Sequence, residues 1–199
     1  MMEEKSGFED RRPSTAPMFL LCDTLGAPGI LMPGGQRVSS PVQCLDQAIA
    51  ERPGIMVVRF GPMPIRQRDA LVELCAVLKH NRHTGEIPLL ALLGAKHRQL
   101  IETLKDAGAD YIRYIGMDKL ESALILQCIE GLGPRDRIEP HLEMLCPFLH
   151  YSRIDSQHEI TVCGAYLDRM VLGGRRLHEI CEVENHLQCE YYLNPRLAS

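Results

Sequence analysis

Residues able to bind a metal concentrate in the last 54 residues of the chain. Four cysteines occur there: Cys146, Cys163, Cys181 and Cys189. Four histidines stand among them, His150, His158, His178 and His186, and a fifth, His141, lies just before Cys146. Thiolates and imidazoles are the protein ligands that zinc and iron favour. Because the sequence shows no sign of export, this density favours a metal site over a disulfide framework.

The spacing of the four cysteines leaves three interpretations open. The gaps between them are 16, 17 and 7 residues, without the C-x₂-C pairs typical of structural zinc sites. Four thiolates meet the requirement of a [4Fe–4S] cluster, which is our first prediction for this region. The alternatives are a zinc site on three or four of these cysteines, and cysteines that pack as small apolar side chains without metal.

Two of the histidines are candidate additional ligands. His178 and Cys181 are three residues apart, which places both side chains on one face of a helix. His186 lies three residues before Cys189. A histidine on an acidic helix is more often simply solvated, so ligation by His178 or His186 is the less frequent outcome.

Before the cysteine-rich region, apolar strands alternate with helical segments. The predicted strands are Met18–Cys22, Ile55–Phe60, Ile87–Leu93 and Tyr111–Ile115. The predicted helices are Val42–Glu51, Arg66–Asn81, Lys96–Ala107 and Met117–Gly131, with Ser40 as an N-cap and Gly26–Gly35 as a loop or hairpin. Strands that are apolar throughout indicate a parallel sheet with helices on both faces. The sequence therefore predicts a doubly wound α/β domain over residues 18–132.

Three phrases of this domain resemble the receiver domain of bacterial response regulators. Glu51–Val58 is similar to the family's helix end, proline and third strand, and Glu86–Leu93 to its proline-led fourth strand. Asp106–Ile112 resembles its alanine–glycine–alanine–aspartate turn into the fifth strand. The resemblance implies a flavodoxin-like receiver topology. It also implies docking to a protein partner, through a helix-and-strand face or by self-association.

The residues that carry phosphotransfer in that family are replaced here. The resemblance puts the phosphoacceptor position on Arg59, and of the acidic pair that holds Mg²⁺ only Asp23 remains, beside Thr24. An arginine cannot accept a phosphoryl group in this way, so the resemblance implies a pseudo-receiver without catalysis. The hydroxyl position falls on Leu93 or Gly94 and the lysine position on Tyr114 or Ile115.

Arg59 has two interpretations within this degenerate pocket. It pairs with Asp23 and holds the domain in one state, or it is an ordinary arginine at a strand end. The span from Asp23 to Arg59 is also short for a receiver, which predicts that the first helix is lost. The four remaining cysteines lie in apolar patterns and are expected to be core residues: Cys22, Cys44, Cys75 and Cys128.

Composition limits the classes of function. The net charge of −4 and the absence of tryptophan argue against a nucleic-acid partner. Residues 1–17 are predicted to be a flexible arm, and residues 133–199 a small helical cysteine-rich module. No phosphate loop or nucleophile elbow occurs, so we predict a cytoplasmic regulatory protein that is not an enzyme and does not contact membranes. An adaptor with structural zinc and a thiol-dependent enzyme are the alternatives.

Overall fold

The computed structural model describes residues 18–26, 31–32, 34–115, 122–166 and 170–196. The predicted N-terminal arm lies outside these residues. No helix in the described part of the chain is long and apolar enough to cross a membrane.

Six strands form one sheet in the first part of the chain. In chain order they are β1 (Phe19–Cys22), β2 (Leu31–Met32), β3 (Gly35–Val38), β4 (Ile55–Phe60), β5 (Leu89–Leu93) and β6 (Tyr111–Tyr114). Their order across the sheet is β2-β3-β1-β4-β5-β6, and only the β2–β3 pair is antiparallel. The five parallel strands thus follow the 2-1-3-4-5 order of flavodoxin-like folds. The predicted fold class of the first domain is confirmed.

Four helices cover the two faces of this sheet. They are α1 (Pro41–Glu51), α2 (Ile65–His80), α3 (Arg98–Asp106) and α4 (Ser122–Glu130). Buried residues of α1, α2 and α3 join one hydrophobic cluster, whereas those of α4 join the cluster on the opposite face. Ser40 is the N-cap of α1, and its hydroxyl accepts a hydrogen bond from the Gln43 amide at 3.4 Å. The sheet is therefore covered on both faces, as the uniformly apolar strands predict.

The segment between β1 and α1 departs from a regular doubly wound pattern. Among the residues described between Cys22 and Pro41, none is helical, and the β2–β3 hairpin stands in that place. The predicted loss of the first helix is thus consistent with the described residues. Strand β3 pairs in parallel with β1 and was not predicted, because its sequence GQRV has a single fully buried apolar residue, Val38.

The aspartate in the turn before β6, Asp110, has a structural role. Asp110 Oδ2 accepts hydrogen bonds from the Leu89 amide at 2.9 Å and from Lys79 Nζ at 3.0 Å. Gly108 has a φ of +84°, a left-handed conformation that suits the residue following the end of α3. The alanine–glycine–alanine–aspartate phrase therefore fixes the start of two neighbouring strands.

The C-terminal region is not the purely helical module that the sequence suggested. After a 3₁₀ turn (Pro134–Asp136) and α5 (Ile138–Met144), it forms an antiparallel sheet of β7 (Leu149–Arg153), β8 (Glu159–Cys163) and β9 (Met170–Val171). Short helical segments follow: α6 (Gly174–Arg176), a π turn (Leu177–Cys181), a 3₁₀ turn (Glu184–Gln188) and α7 (Glu190–Leu193). The helical prediction was wrong for the three strands, residues 149–153, 159–163 and 170–171.

The sequence of the β7–β8 hairpin explains this difference. Asp155 Oδ1 accepts hydrogen bonds from the amides of Gln157 and His158, at 2.7 Å and 2.8 Å, which closes a tight turn. The flanking segments LHYSR and EITVC contain the β-branched and aromatic residues that strands favour. The turn and the strand-forming residues beside it therefore favour a hairpin over the helix that was predicted for this region.

The cysteine-rich module docks against α2 and α3 of the first domain. Arg68 on α2 forms two 2.7 Å hydrogen bonds to the Glu159 carboxylate on β8. His97 stacks on Tyr151 with ring centroids 3.6 Å apart, and its Nδ1 accepts the Leu100 amide. Its Nε2 therefore carries the proton of the neutral ring and faces Glu159 Oε2 at 3.2 Å. These contacts form the clamp between the two parts of the chain, defined by Arg68, His97, Tyr151 and Glu159.

Replacing Glu159 by glutamine is expected to weaken this clamp by about 2 kcal/mol, the typical worth of hydrogen bonds to a charged group. The Arg68 guanidinium lowers the pKa of the Glu159 carboxyl to about 2, against the effect of burial and with help from His97. A depressed pKa stabilises the fold above the unfolded value of about 4.3, and this stabilisation is lost as the pH falls towards 2.

Chemical denaturation between pH 7 and pH 2.5 checks this prediction. The wild type should lose more stability than Glu159→Gln over this range, whereas the exposed control Glu143→Gln should behave like the wild type. Parallel acid profiles of the wild type and Glu159→Gln would contradict the assignment of the clamp.

Candidate metal centre and the Asp23 ion-pair cluster

The four cysteines of the module come together from separate elements. Cys146 precedes β7, Cys163 ends β8, Cys181 ends the π turn and Cys189 is the N-cap of α7. The first three are buried in one cluster with apolar side chains, namely those of Leu149, Ala165 and Leu172. The Cys146 amide donates a 2.8 Å hydrogen bond to the Cys181 carbonyl, which joins two cysteine segments directly.

The thiols are close enough to influence one another electrostatically. Burial, together with smaller contributions from the neighbouring thiols of Cys146, Cys163 and Cys189, raises the pKa of the Cys181 thiol to about 12. Burial likewise raises the pKa of Cys146, with contributions from Cys163 and Cys189. Deprotonating the four thiols together is therefore unfavourable unless a cation compensates their negative charge.

Two of the sulfur atoms accept hydrogen bonds from backbone amides. Burial alone would raise the pKa of Cys189, but the amides of Tyr192 and Tyr191 and the Arg176 guanidinium together lower it. Arg176 Nη2 lies 3.8 Å from the Cys189 sulfur. The Phe148 amide similarly bonds the Cys146 sulfur. Amide donors two and three residues ahead of a cysteine stabilise its thiolate, which is the form that binds metals.

The thiols nevertheless do not form a ready coordination sphere. Among the residues that the structure describes, no three cysteine, histidine, aspartate or glutamate side chains are grouped so that they could hold a metal ion. The arrangement is a convergence of four thiols in one neighbourhood. Binding of an ion would require these side chains to move closer together.

The two candidate histidines occupy different environments. His178 is exposed and its Nδ1 lies 2.7 Å from a carboxylate oxygen of Glu182. His186 is buried, with Nδ1 2.7 Å from the Val183 carbonyl and its ring edge-on to Tyr192. A bond from Nδ1–H to a carbonyl leaves Nε2 unprotonated, as in many metal-bound histidines. Of the two, His186 is the buried residue and the one whose ring nitrogen faces a backbone carbonyl.

At the carboxyl end of the parallel sheet, Asp23 is enclosed by two arginines. Its side chain is fully buried, and its Oδ2 accepts a hydrogen bond from Arg59 Nη1 at 3.1 Å. Arg37 on β3 forms a second ion pair with the same oxygen, and the Leu25 amide bonds Oδ1 at 3.0 Å. Asp23 and Arg59 thus meet at the carboxyl end of the sheet. This geometry fits the interpretation in which Arg59 pairs with Asp23.

Apolar and aromatic side chains occupy the neighbouring strand ends. In the sheet register Leu93 lies opposite Phe60 and Tyr114, so the strand ends are apolar or aromatic. Tyr114 is in edge contact with His141 of the module, with ring centroids 5.3 Å apart. The pocket in this chain is consequently filled by an ion-pair cluster and apolar side chains.

The four cysteines expected in the core are buried there. Cys22, Cys44 and Cys75 belong to the cluster beneath α1 and α2, and Cys128 to the cluster beneath α4. Contact with the Cys22 thiol and burial together raise the pKa of Cys44. These residues are buried packing groups, as their apolar sequence patterns predict.

Sequence reasoning missed Arg37 and the residues of the clamp. Arg37 lies in a Gly-rich segment, on a strand of only four residues. Such a strand is too short for an alternating pattern to reveal it in the sequence. Arg68 and Glu159 are 91 positions apart, and a pair of that separation leaves no local signal in a single sequence.

No protein-family model and no curated protein matches the sequence. A solved structure that matches is a response regulator from Desulfuromonas acetoxidans, with 17% sequence identity and a TM-score of 0.40. The match covers 56% of this chain and 92% of that one. The sheet order described above places the first domain in the flavodoxin-like class, with the strand order that receiver domains share.

Proposed function

We propose that the chain is a non-catalytic regulatory protein of the cytoplasm. In this proposal a pseudo-receiver domain docks a protein partner, and the cysteine module binds a metal. The observation that carries the first half is the ion-pair cluster of Arg37, Asp23 and Arg59. The guanidinium groups neutralise the carboxylate that would otherwise bind Mg²⁺, so the pocket has no need of a cation or a phosphoryl group.

The second half of the proposal is a metal centre on Cys146, Cys163, Cys181 and Cys189. It is supported by the convergence of the four thiols and by the amide hydrogen bonds to Cys146 and Cys189. A [4Fe–4S] cluster would use all four thiolates and would make the module sensitive to oxygen or iron. A zinc ion held by the same residues, with His186 as a substitute ligand, is the second candidate and implies an adaptor without sensing.

Partner docking would use a face that the module leaves open. The segment 134–144 packs over β6 and α3, where His141 Nε2 lies 3.1 Å from the Ile112 carbonyl. The helix-and-strand face at that edge is therefore occupied within the chain. Helix α1 lies elsewhere on the domain and exposes Val42 and Ile49, at 70% and 37% of their surface. We propose a protein partner or a second copy of the chain at α1.

Cys189 is expected to be the first of the four cysteines alkylated by iodoacetamide in metal-stripped protein. The other three are buried, whereas Cys189 is partly exposed and its thiolate is stabilised by Arg176. Bound metal should slow this reaction at least tenfold, because a coordinated thiolate is shielded and less nucleophilic. Mass spectrometry of the labelled peptides gives the rate at each cysteine.

The buried Cys128 serves as an internal control, with slow labelling in both states. The thiol-dependent enzyme alternative, which the lowered pKa of Cys189 favours, predicts a different outcome. In that case Cys189 would react rapidly whether or not metal is present, and the proposed metal centre would lose its support.

A further inference from the structure

Two histidines lie at the junction between the first domain and the C-terminal region. His97 is the N-cap of α3 and belongs to the clamp, where its ring stacks on Tyr151 of β7. His141 lies on α5 and contacts the edge strand β6, with its Nε2 3.1 Å from the Ile112 carbonyl. Each histidine therefore holds an element of the first domain against an element of the C-terminal region.

The hydrogen bonds of His97 fit its neutral form better than its charged form. Its Nδ1 accepts the Leu100 amide at 3.1 Å, which caps the first turn of α3. A proton on Nδ1 would face this amide donor and remove the cap. A charged ring would also lie beside the Arg68 guanidinium, whose Nη1 is 3.1 Å from Nε2. Protonation of His97 therefore breaks a contact of α3 and adds a like charge to the clamp.

The environment of His141 also favours the neutral ring. Its Nε2 donates to the Ile112 carbonyl, which leaves Nδ1 unprotonated in the neutral form. Nδ1 is buried, and among the described residues it has no hydrogen-bond partner. A proton on Nδ1 would thus be a buried donor without an acceptor, which is costly. A protonated His141 therefore gains from leaving β6 and reaching water.

The charged groups around the two rings are largely paired with one another. Around His97 they are Arg68 and Asp69 on α2, Tyr151 and Arg153 on β7, and Glu159 on β8. Around His141 they are Lys96, Arg113, Tyr114, Cys128 and Asp136, with the Lys105–Glu139 ion pair between α3 and α5. The carboxylates of Asp69, Glu159 and Asp136 each form an ion pair with one of these arginines. The Glu182 carboxylate, which lies near both tyrosines, is paired with His178.

This compensation limits how far the carboxylates favour protonation of the rings. Burial lowers the pKa of His97, and Arg68 lowers it further, against the effect of Glu159. Burial likewise lowers the pKa of His141, with help from Lys96 and against the effects of the Ile112 carbonyl and Asp136. The electrostatic balance therefore agrees with the hydrogen bonds, and both rings are neutral while the junction is closed.

We infer that the junction is a pH-sensitive switch, in which protonation of His97 and His141 in mild acid separates the C-terminal region from the first domain. Opening brings both rings into water, where they recover ordinary acid–base behaviour. A histidine whose pKa is lowered in the closed state stabilises that state above about pH 6.5, its open-state pKa, and this stabilisation is lost as the pH falls. The switch requires no bound metal and goes beyond the proposed docking and metal binding. Glu159 acts in a separate window, below about pH 4.3.

The test compares the wild type with the double variant His97→Asn/His141→Gln in the full chain. The asparagine oxygen can cap α3 in place of Nδ1, and the glutamine amide can donate to the Ile112 carbonyl, but neither side chain titrates. Hydrogen exchange is followed at about pH 7.5 and about pH 5.0, corrected for the intrinsic pH dependence of exchange. In the wild type, protection of β7 and of the first turn of α3 should fall at least about fivefold at the lower pH.

Protection in the double variant should change by less than about twofold between the two pH values. The control His80→Asn replaces an exposed histidine of α2 and should keep the wild-type change. A double variant that loses protection in acid as the wild type does would overturn the switch, because other groups would then drive the opening.

An NMR titration of the wild-type ring protons gives a second measurement, which does not depend on how the variants fold. Both His97 and His141 should protonate below the ordinary histidine pKa of about 6.5. Protonation of either ring at or above that value would overturn the switch, even where the double variant is already unprotected at neutral pH. Neither measurement requires metal, so failure of the switch and failure of the proposed metal centre are distinguishable.

Discussion

Replacing Cys181 by alanine is expected to abolish metal binding by the purified protein, with the metal content falling to below about a tenth of the wild-type value. Cys181 is the buried cysteine whose raised pKa has contributions from all three other thiols of the module. Its removal leaves three thiolates, which cannot hold a [4Fe–4S] cluster with full cysteine ligation. Metal analysis of the wild type and the variant, purified side by side, measures the effect.

The matched control for this variant is Cys128→Ala. It deletes a buried thiol of the same kind from the opposite part of the chain, and the metal content should stay at the wild-type value. Far-UV circular dichroism establishes that the parallel-sheet domain remains folded, because the large core of that domain is built mainly from its own strands and helices. An undiminished metal content in Cys181→Ala would exclude this cysteine as a ligand.

Replacing Asp23 by asparagine is expected to destabilise the first domain by about 3 kcal/mol. The substitution keeps the shape of the side chain but leaves two guanidinium groups, those of Arg37 and Arg59, beside a neutral amide in a buried pocket. Breaking a buried ion pair by removing one partner typically costs about 3–5 kcal/mol. For a chain of this size the midpoint of thermal unfolding should fall by about 6–12 °C.

Asp46→Asn is the control for this second variant. Asp46 lies on the exposed side of α1, so its charge is solvated and its replacement should shift the midpoint by less than about 2 °C. An Asp23→Asn variant as stable as the wild type would mean that the ion-pair cluster does not hold the pocket closed. The pseudo-receiver interpretation would then need a different basis.

The sequence predicted the first domain well because its signals are local and strong. Strand Leu89–Leu93 is apolar at every position and strand Ile55–Phe60 at every position except Arg59, and a sheet buried on both faces satisfies such strands. The same regularity makes the neighbours of β4 and β5 predictable. Asp23 and Arg59 could be placed in one pocket because Asp23 follows β1 and Arg59 lies near the end of β4. These two parallel strands end at the same edge of the sheet.

The module was harder to predict because its structure depends on contacts between distant residues. Its strands are short and half exposed, and Asp155 decides the hairpin through a turn that no periodicity reveals. The clamp of Arg68 and Glu159 joins positions 91 residues apart. Cysteine content alone indicated a site in this region, but the amide donors that stabilise Cys146 and Cys189 depend on the folded backbone.

The central claim is that the four cysteines of the module hold a metal, and the most direct measurement is metal and sulfide analysis with a visible spectrum on protein purified without oxygen. We predict about four irons and four sulfides per chain and a brown colour that bleaches in air. One zinc per chain without colour would support the adaptor alternative and contradict a redox-sensing role. A chain that binds neither metal would contradict the claim itself, and the cysteines would then be packing residues of the module's core.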